Sequence, residues 1–173
     1  MFDPTVFENL KVAFENQLYD LDNLDREIDI VNRVDRLELA VMAREFRLRF
    51  TLAERHDISA EILLSASLKE LAAEILELKD EIPSCGLRIR FYLQLENADN
   101  VCSRIEDLLQ RIWGTVSPPA QTISYRYGAE KPIYSNTAEI TFPRKINEEQ
   151  MDDIPELIRH TLQTLHELHE AVN

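Results

Sequence analysis

Two short stretches alternate strictly between apolar and polar residues and carry arginines at the same phase. They read EFRLRFTLA at 45–53 and GLRIRFYLQL at 86–95. A period of two is typical of a β-strand with one buried face. Because burying a large apolar side chain stabilises by about 1.5–3 kcal/mol, the apolar positions decide which face turns inward. The pattern therefore predicts two strands of one sheet whose opposite faces carry four arginines. These are Arg47, Arg49, Arg88 and Arg90.

Helical spacing dominates three other segments, at 57–80, 99–113 and 153–172. Each places apolar residues three and four positions apart and begins near a capping residue, so each is predicted to be an amphipathic helix. Pro155 is compatible with the third helix because it falls in the first turn, where its missing N–H costs no helical bond.

Alternation returns at 123–127 and 138–142, and the intervening GAEKP predicts a hairpin in which Tyr125 and Tyr127 face inward.

The first fifty residues allow two interpretations. A strand would run through Leu10, Val12, Phe14 and Leu18, whereas a helix capped by Asp3 and Pro4 would place Phe7, Leu10, Phe14, Leu18 and Leu21 on one side. The β-branched and aromatic content favours strands before residue 45.

The resulting order is βββαβαββα, which predicts a single α+β domain over residues 1–173, with a mainly antiparallel sheet and helices on one face. The segment GTVSPPAQ at 114–121 is a candidate hinge.

The two arginine-bearing strands would run parallel. As direct neighbours they would bring arginines face to face, so we expect an intervening strand that supplies carboxylates. Candidate carboxylates are Glu15, Glu38 and Glu139.

Charge and composition exclude several classes of protein. The net charge of −13 opposes binding to nucleic acid or to an anionic membrane surface. Neither Cys85 nor Cys102 lies in a CxxC motif, the N-terminus lacks a basic flank, and no apolar run is long enough to span a membrane. We therefore expect a cytoplasmic protein with reduced thiols.

Recognisable catalytic and metal-binding motifs are missing. With only three glycines, the chain has no phosphate-binding glycine loop, and it has neither a GxSxG nor an HExxH motif. The acidic segment DLDNLD fails as a calcium loop because Asp25 stands where glycine is needed and Val31 where a bidentate glutamate is needed. His166 and His169 lie one helical turn apart, but two ligands alone make a weak metal site. The sequence predicts no cofactor.

By elimination, the sequence favours a non-enzymatic module that binds another protein or itself. The alternative is a protein or enzyme that binds a small anionic ligand through an arginine-rich sheet face. Both hypotheses use the same candidate residues. These are Arg47, Arg49, Arg88, Arg90, Tyr92 and Arg126.

Overall fold

The computed structural model describes residues 5–173 and contains four α-helices and one six-stranded antiparallel sheet. The helices are α1 (Val6–Asn23), α2 (Leu68–Ile75), α3 (Ala98–Trp113) and α4 (Ile154–Val172), the last preceded by a 3-10 turn at Glu148–Asp153. The strands are β1 (Ile28–Glu38), β2 (Ala43–Leu52), β3 (Arg55–Ala66), β4 (Gly86–Leu95), β5 (Ala120–Ser124) and β6 (Tyr134–Thr141). Their order in the sheet is β1-β2-β3-β4-β6-β5. The predicted α+β class with an antiparallel sheet is confirmed.

One face of the sheet carries the hydrophobic core. The apolar positions of β2 and β4 are buried as their alternation predicts, with Phe46, Phe50 and Phe91 fully inaccessible. The buried side chains of α1, α3 and α4 belong to the same contiguous cluster. Helix α4 lies against β2, β3 and β4 and also contacts α1 and α3. The helices therefore pack together on one side of the sheet.

The strand predicted in the first twenty residues is wrong, because residues 6–23 form helix α1. Phe7, Leu10, Phe14 and Leu18 are at most 1% exposed, and their spacing gives a helix one continuous apolar stripe. The Thr5 hydroxyl accepts a hydrogen bond from the Glu8 N–H at 3.1 Å and caps the helix. Asp3 and Pro4, the capping residues considered from the sequence, lie outside the described residues.

The helix predicted over 57–80 is also wrong in its first half. Residues 55–66 form β3, and the helix that follows covers only Leu68–Ile75. Leu63 and Glu61 are buried although they point away from the core, so the second half of β3 is buried on both faces, and Leu63 interrupts the apolar–polar alternation of residues 58–66. The apolar residues of β3 and α2 together have the three- and four-residue spacing expected of one long amphipathic helix.

The remaining elements agree with the sequence. Helices α3 and α4 occupy the predicted segments, and Pro155 lies in the first turn of α4. Strands β5 and β6 pair antiparallel, which confirms the hairpin, but β5 ends at Ser124. Tyr125 and Tyr127 are therefore in the connecting loop and are 61% and 98% exposed, so their predicted inward orientation is wrong.

The two arginine-bearing strands run in the same direction and are not hydrogen-bonded to each other. Both β2 and β4 pair antiparallel with β3, which lies between them. The predicted separation of the two strands is thus confirmed, but the intervening strand is the segment expected to be helical. It supplies Glu61 as the central carboxylate.

Candidate functional site

The candidate site is the sheet face opposite the helices, which we call the arginine face. The cross-strand register assigns its central residues. They are Arg47 and Arg49 on β2, Glu61 and Leu63 on β3, Arg88, Arg90 and Tyr92 on β4, and Glu139 on β6. Leu63 is 4% exposed yet is not part of the core cluster, which places it on this separate face.

One cross-strand row of the arginine face alternates in charge. Arg49 lies opposite Glu61, Glu61 opposite Arg90, and Arg90 opposite Glu139. Opposite charges at directly paired positions of neighbouring strands stabilise a sheet, whereas like charges destabilise it. The row therefore removes the arginine–arginine repulsion that direct pairing of β2 with β4 would have created.

Glu61 is the buried centre of this row. Its side chain is 1% exposed and accepts a hydrogen bond from the Tyr92 hydroxyl at 2.8 Å. The Arg49 Nε lies 3.4 Å and the Arg90 Nη1 lies 3.9 Å from the same carboxylate. A buried carboxylate requires such compensation, because removing it from water without partners is costly.

Tyr92 is held from two directions. The Arg49 guanidinium lies 3.9 Å from the centre of the tyrosine ring, within the range of a cation–π contact. Burial, followed by the hydrogen bond to Glu61, raises the pKa of Tyr92. The tyrosine therefore remains a hydrogen-bond donor at neutral pH, and its hydroxyl is already engaged by Glu61.

Arg90 joins Glu61 to Glu139. Its Nε donates a hydrogen bond to Glu139 Oε2 at 2.5 Å. Burial by itself would raise the pKa of Glu139, but the hydrogen bond and charge of Arg90 outweigh it and lower the pKa overall. Burial likewise opposes the charged form of Arg90, whose pKa is nevertheless raised by its bond to Glu139. This pair is ionised at neutral pH.

The second row of the face contains Leu63 between two arginines, with Arg47 on one side and Arg88 on the other. Arg47 Nε lies 2.9 Å from Glu45 Oε1, although the geometry does not satisfy a hydrogen bond and the Nε is buried. Arg88 is exposed and makes no ion pair with any residue between 5 and 173. Its aliphatic stem and that of Arg47 flank Leu63, so the face combines an apolar centre with an unpaired cation.

Arg126 does not belong to this array. It lies in the exposed loop between β5 and β6, together with Tyr125 and Tyr127. The structure thus brings together five of the six predicted site residues and places Arg126 outside the paired strands.

The histidine candidates do not form a metal centre in the described structure. Within residues 5–173, no group of three or more histidine, cysteine, aspartate or glutamate side chains is arranged to hold a metal ion. His169 is 3% exposed and packs into the core side of α4, and His166 is exposed. Burial, followed by the positive charge of Arg55, lowers the pKa of His169.

Both cysteine thiols, Cys85 and Cys102, are free, and burial raises the pKa of Cys85 to about 12.

Glu61 was missed by sequence reasoning because it was assigned to a helix. The signal is present in the alternation of Ile58, Ala60, Ile62 and Leu64, all of which are buried. That phase puts Glu61 on the same face as the arginines once residues 55–66 are treated as the intervening strand.

Comparison with known proteins gives no relative: no family model, no curated protein and no solved structure matches this chain. Among the helices described between residues 5 and 173, none combines the length and apolar character needed to cross a membrane.

Proposed function

We propose that this chain is a non-catalytic binding protein that docks an acidic segment of another protein on its arginine face. The observation that carries the proposal is Arg88. It is an exposed guanidinium that forms no ion pair within residues 5–173 and influences Glu139 only through its charge, on the sheet face opposite the helices. A carboxylate on the docked segment would supply a directly contacting partner.

The charge distribution supports an acidic partner. On the four central strands, β2, β3, β4 and β6, the register places four arginines on this face. It also places three glutamates there, Glu45, Glu61 and Glu139, so the net charge of these residues is +1. The whole chain carries −13. The face is therefore locally cationic within an acidic molecule, and electrostatic complementarity of this kind directs both orientation and encounter.

The fixed geometry of the face also supports binding. Arg49, Arg90 and Tyr92 are each engaged by Glu61, so their side chains are ordered before a partner arrives. Side chains that are already immobilised lose less entropy on association. Arginine and tyrosine around an apolar centre such as Leu63 are also the residue types that contribute most to protein interfaces.

A small anion suits this face less well than an extended segment. Arg47, Arg49 and Arg90 each already lie beside a glutamate, so they do not converge on one empty point. An extended chain with several carboxylates can contact both β2 and β4.

The proposal is tested with a fluorescently labelled oligoglutamate peptide as probe, with anisotropy as the measurement. Wild type should bind the peptide with an affinity that falls as salt is added, and Arg88→Glu should weaken binding about tenfold or more, because one favourable ion pair becomes a repulsion. Arg104→Glu is the matched control. Arg104 is an exposed arginine on α3, so the change in net charge is the same but lies on another surface.

Equal loss in both variants would mean that only net charge matters and would refute the site. Binding that is unaffected by Arg88→Glu would refute it as well. Thermal stabilisation by inorganic phosphate that disappears in Arg88→Glu, without peptide binding, would instead support the small-anion function.

A further inference from the structure

We infer that two copies of this chain associate through the outer edge of β1, in antiparallel register centred on Val34. Strand β1 is at one edge of the sheet and pairs only with β2. Its outer edge leaves backbone N–H and C=O groups available to another strand. This contact uses the edge of the sheet beside Arg47 and does not involve Arg88, so it does not depend on the function proposed above.

The two edges of the sheet differ in how well they are protected. Strand β5, at the far edge, has five residues and directly follows Pro118 and Pro119. Short length and flanking prolines are common devices against strand addition. Strand β1 has eleven residues and no proline, and two exposed apolar side chains lie on it, Val31 at 51% and Leu37 at 45%. Strand β1 also carries five charged residues and a bulge, which restrict the registers in which it can pair, but its length makes it the edge that can pair over several residues.

The charges of β1 select one register. In an antiparallel pair, directly opposite residues point to the same face of the sheet, and neighbouring residues of one strand point to opposite faces. A two-fold axis between two identical strands therefore pairs one central residue with its own copy. The bulge at Val31 reverses the faces before and after it and limits continuous pairing to the C-terminal part of the strand. Centres at Arg33, Asp35 or Arg36 would place two like charges directly opposite each other.

The register centred on Val34 has no like-charge pair. It sets Arg33 of each copy opposite Asp35 of the other, which gives two opposite-charge pairs around an apolar Val34–Val34 contact. Leu37 of each copy then lies at the end of the regular pairing, next to the bulge at Val31 of the other copy. A centre at Leu37 would overlap only three residues of the strand, from 36 to 38. Strand β1 is thus self-complementary in one arrangement.

Further exposed apolar side chains lie at the two ends of β1. The apex of the hairpin between β1 and β2 carries Leu39 and Val41, which are 73% and 60% exposed. Leu24, in the turn between α1 and β1, is 73% exposed. These residues lie outside the paired segment, and the inference does not depend on them.

The test uses the purified chain and light scattering coupled to size exclusion, over a series of protein concentrations. Wild type should reach twice the chain mass of 20.2 kDa. Val34→Glu should weaken association about tenfold or more, because two glutamates then face each other at the two-fold axis. Within one copy the new glutamate lies opposite Arg47, so folding is not compromised. Val34→Thr, which keeps the β-branched shape without charge, is the matched control and should remain dimeric.

A charge exchange gives a second, independent test. Arg33→Asp and Asp35→Arg each create two like-charge pairs and should be monomeric alone, whereas an equal mixture should form the mixed dimer. Each substitution also removes an ion pair with α1, either Arg33–Glu15 at 2.7 Å or Asp35–Lys11 at 2.8 Å, so circular dichroism must show that both variants are folded.

A wild-type protein that remains monomeric at every concentration would overturn the inference. A Val34→Glu variant that dimerises as strongly as wild type would also overturn it. Arg88→Glu should leave the dimer unchanged, so failure of the dimer and failure of the peptide-binding proposal can be told apart.

Discussion

The Tyr92 hydroxyl donates a 2.8 Å hydrogen bond to Glu61, and this bond joins the buried carboxylate of β3 to the arginine-bearing strand β4. Glu61 is 1% exposed, so water cannot replace the tyrosine if the hydroxyl is removed. The bond is therefore one of the contacts that compensate the buried carboxylate, together with Arg49 and Arg90.

Tyr92→Phe should lower the free energy of unfolding by about 1.5–3 kcal/mol, the range for hydrogen bonds to charged groups. Urea titration of Tyr92→Phe, Glu61→Gln and the double variant measures the coupling between the two residues, which we expect to be at least about 0.5 kcal/mol. Tyr127→Phe is the control, because Tyr127 is 98% exposed and its hydroxyl should contribute nothing measurable. Additive effects of the two substitutions would contradict the bond.

Phe91→Ala tests which face of β4 is buried. Phe91 is fully inaccessible on the core side of the strand, so its truncation should cost about 3–5 kcal/mol through lost burial and a residual cavity. Chemical denaturation gives the value, and Tyr127→Ala is the aromatic control, because Tyr127 is 98% exposed and its expected change is within about 0.5 kcal/mol. A loss below about 1 kcal/mol for Phe91→Ala would mean that the strand faces the other way.

His169 should make stability dependent on pH. Its pKa in the folded protein lies below the ordinary value of 6.5, because burial and the charge of Arg55 oppose protonation, against a weaker opposite effect of Asp57. Stability is then fully present above pH 6.5 and is lost as the pH falls through the folded-state pKa, since the unfolded chain binds the proton first. His166, also nearby, acts in the same direction as Arg55.

Thermal melting between about pH 7 and pH 5 measures this effect. We expect His169→Gln to flatten the fall in melting temperature, because the substitution removes the buried imidazole. A wild-type melting temperature that is constant over this range would contradict the role of His169.

A segment shows its secondary structure in its sequence when it has one buried face, and hides it when it has two. Strands β2 and β4 show their alternation because their outer positions hold arginines, and helices α3 and α4 show theirs because one side is solvated. In β3 both faces are buried, so its apolar residues resemble a helix. In α1 the stripe from Phe7 to Leu18 was visible, but local preference for β-branched and aromatic residues in strands was given more weight than spacing.

The site could be predicted only in part for the same reason. The arginines were found from their phase, and the need for a carboxylate between them was deduced from charge repulsion. Of the three candidate carboxylates, Glu139 pairs with Arg90, but from β6 and not from the strand between β2 and β4, whereas Glu15 lies on α1 and Glu38 on β1. Glu61 could be placed on this face only if residues 55–66 were treated as a strand. Its burial results from side chains of neighbouring strands, and the sequence of one segment does not show such contacts.

The position of α4 has a consequence for synthesis of the protein. This helix lies on the three strands β2, β3 and β4, all of which precede it in the chain. While the ribosome is still producing residues 154–172, the apolar side of these strands has no α4 to pack against. The nascent chain thus exposes part of the apolar side of these strands until that helix emerges. During this interval the exposed surface is prone to aggregation and is a binding site for chaperones.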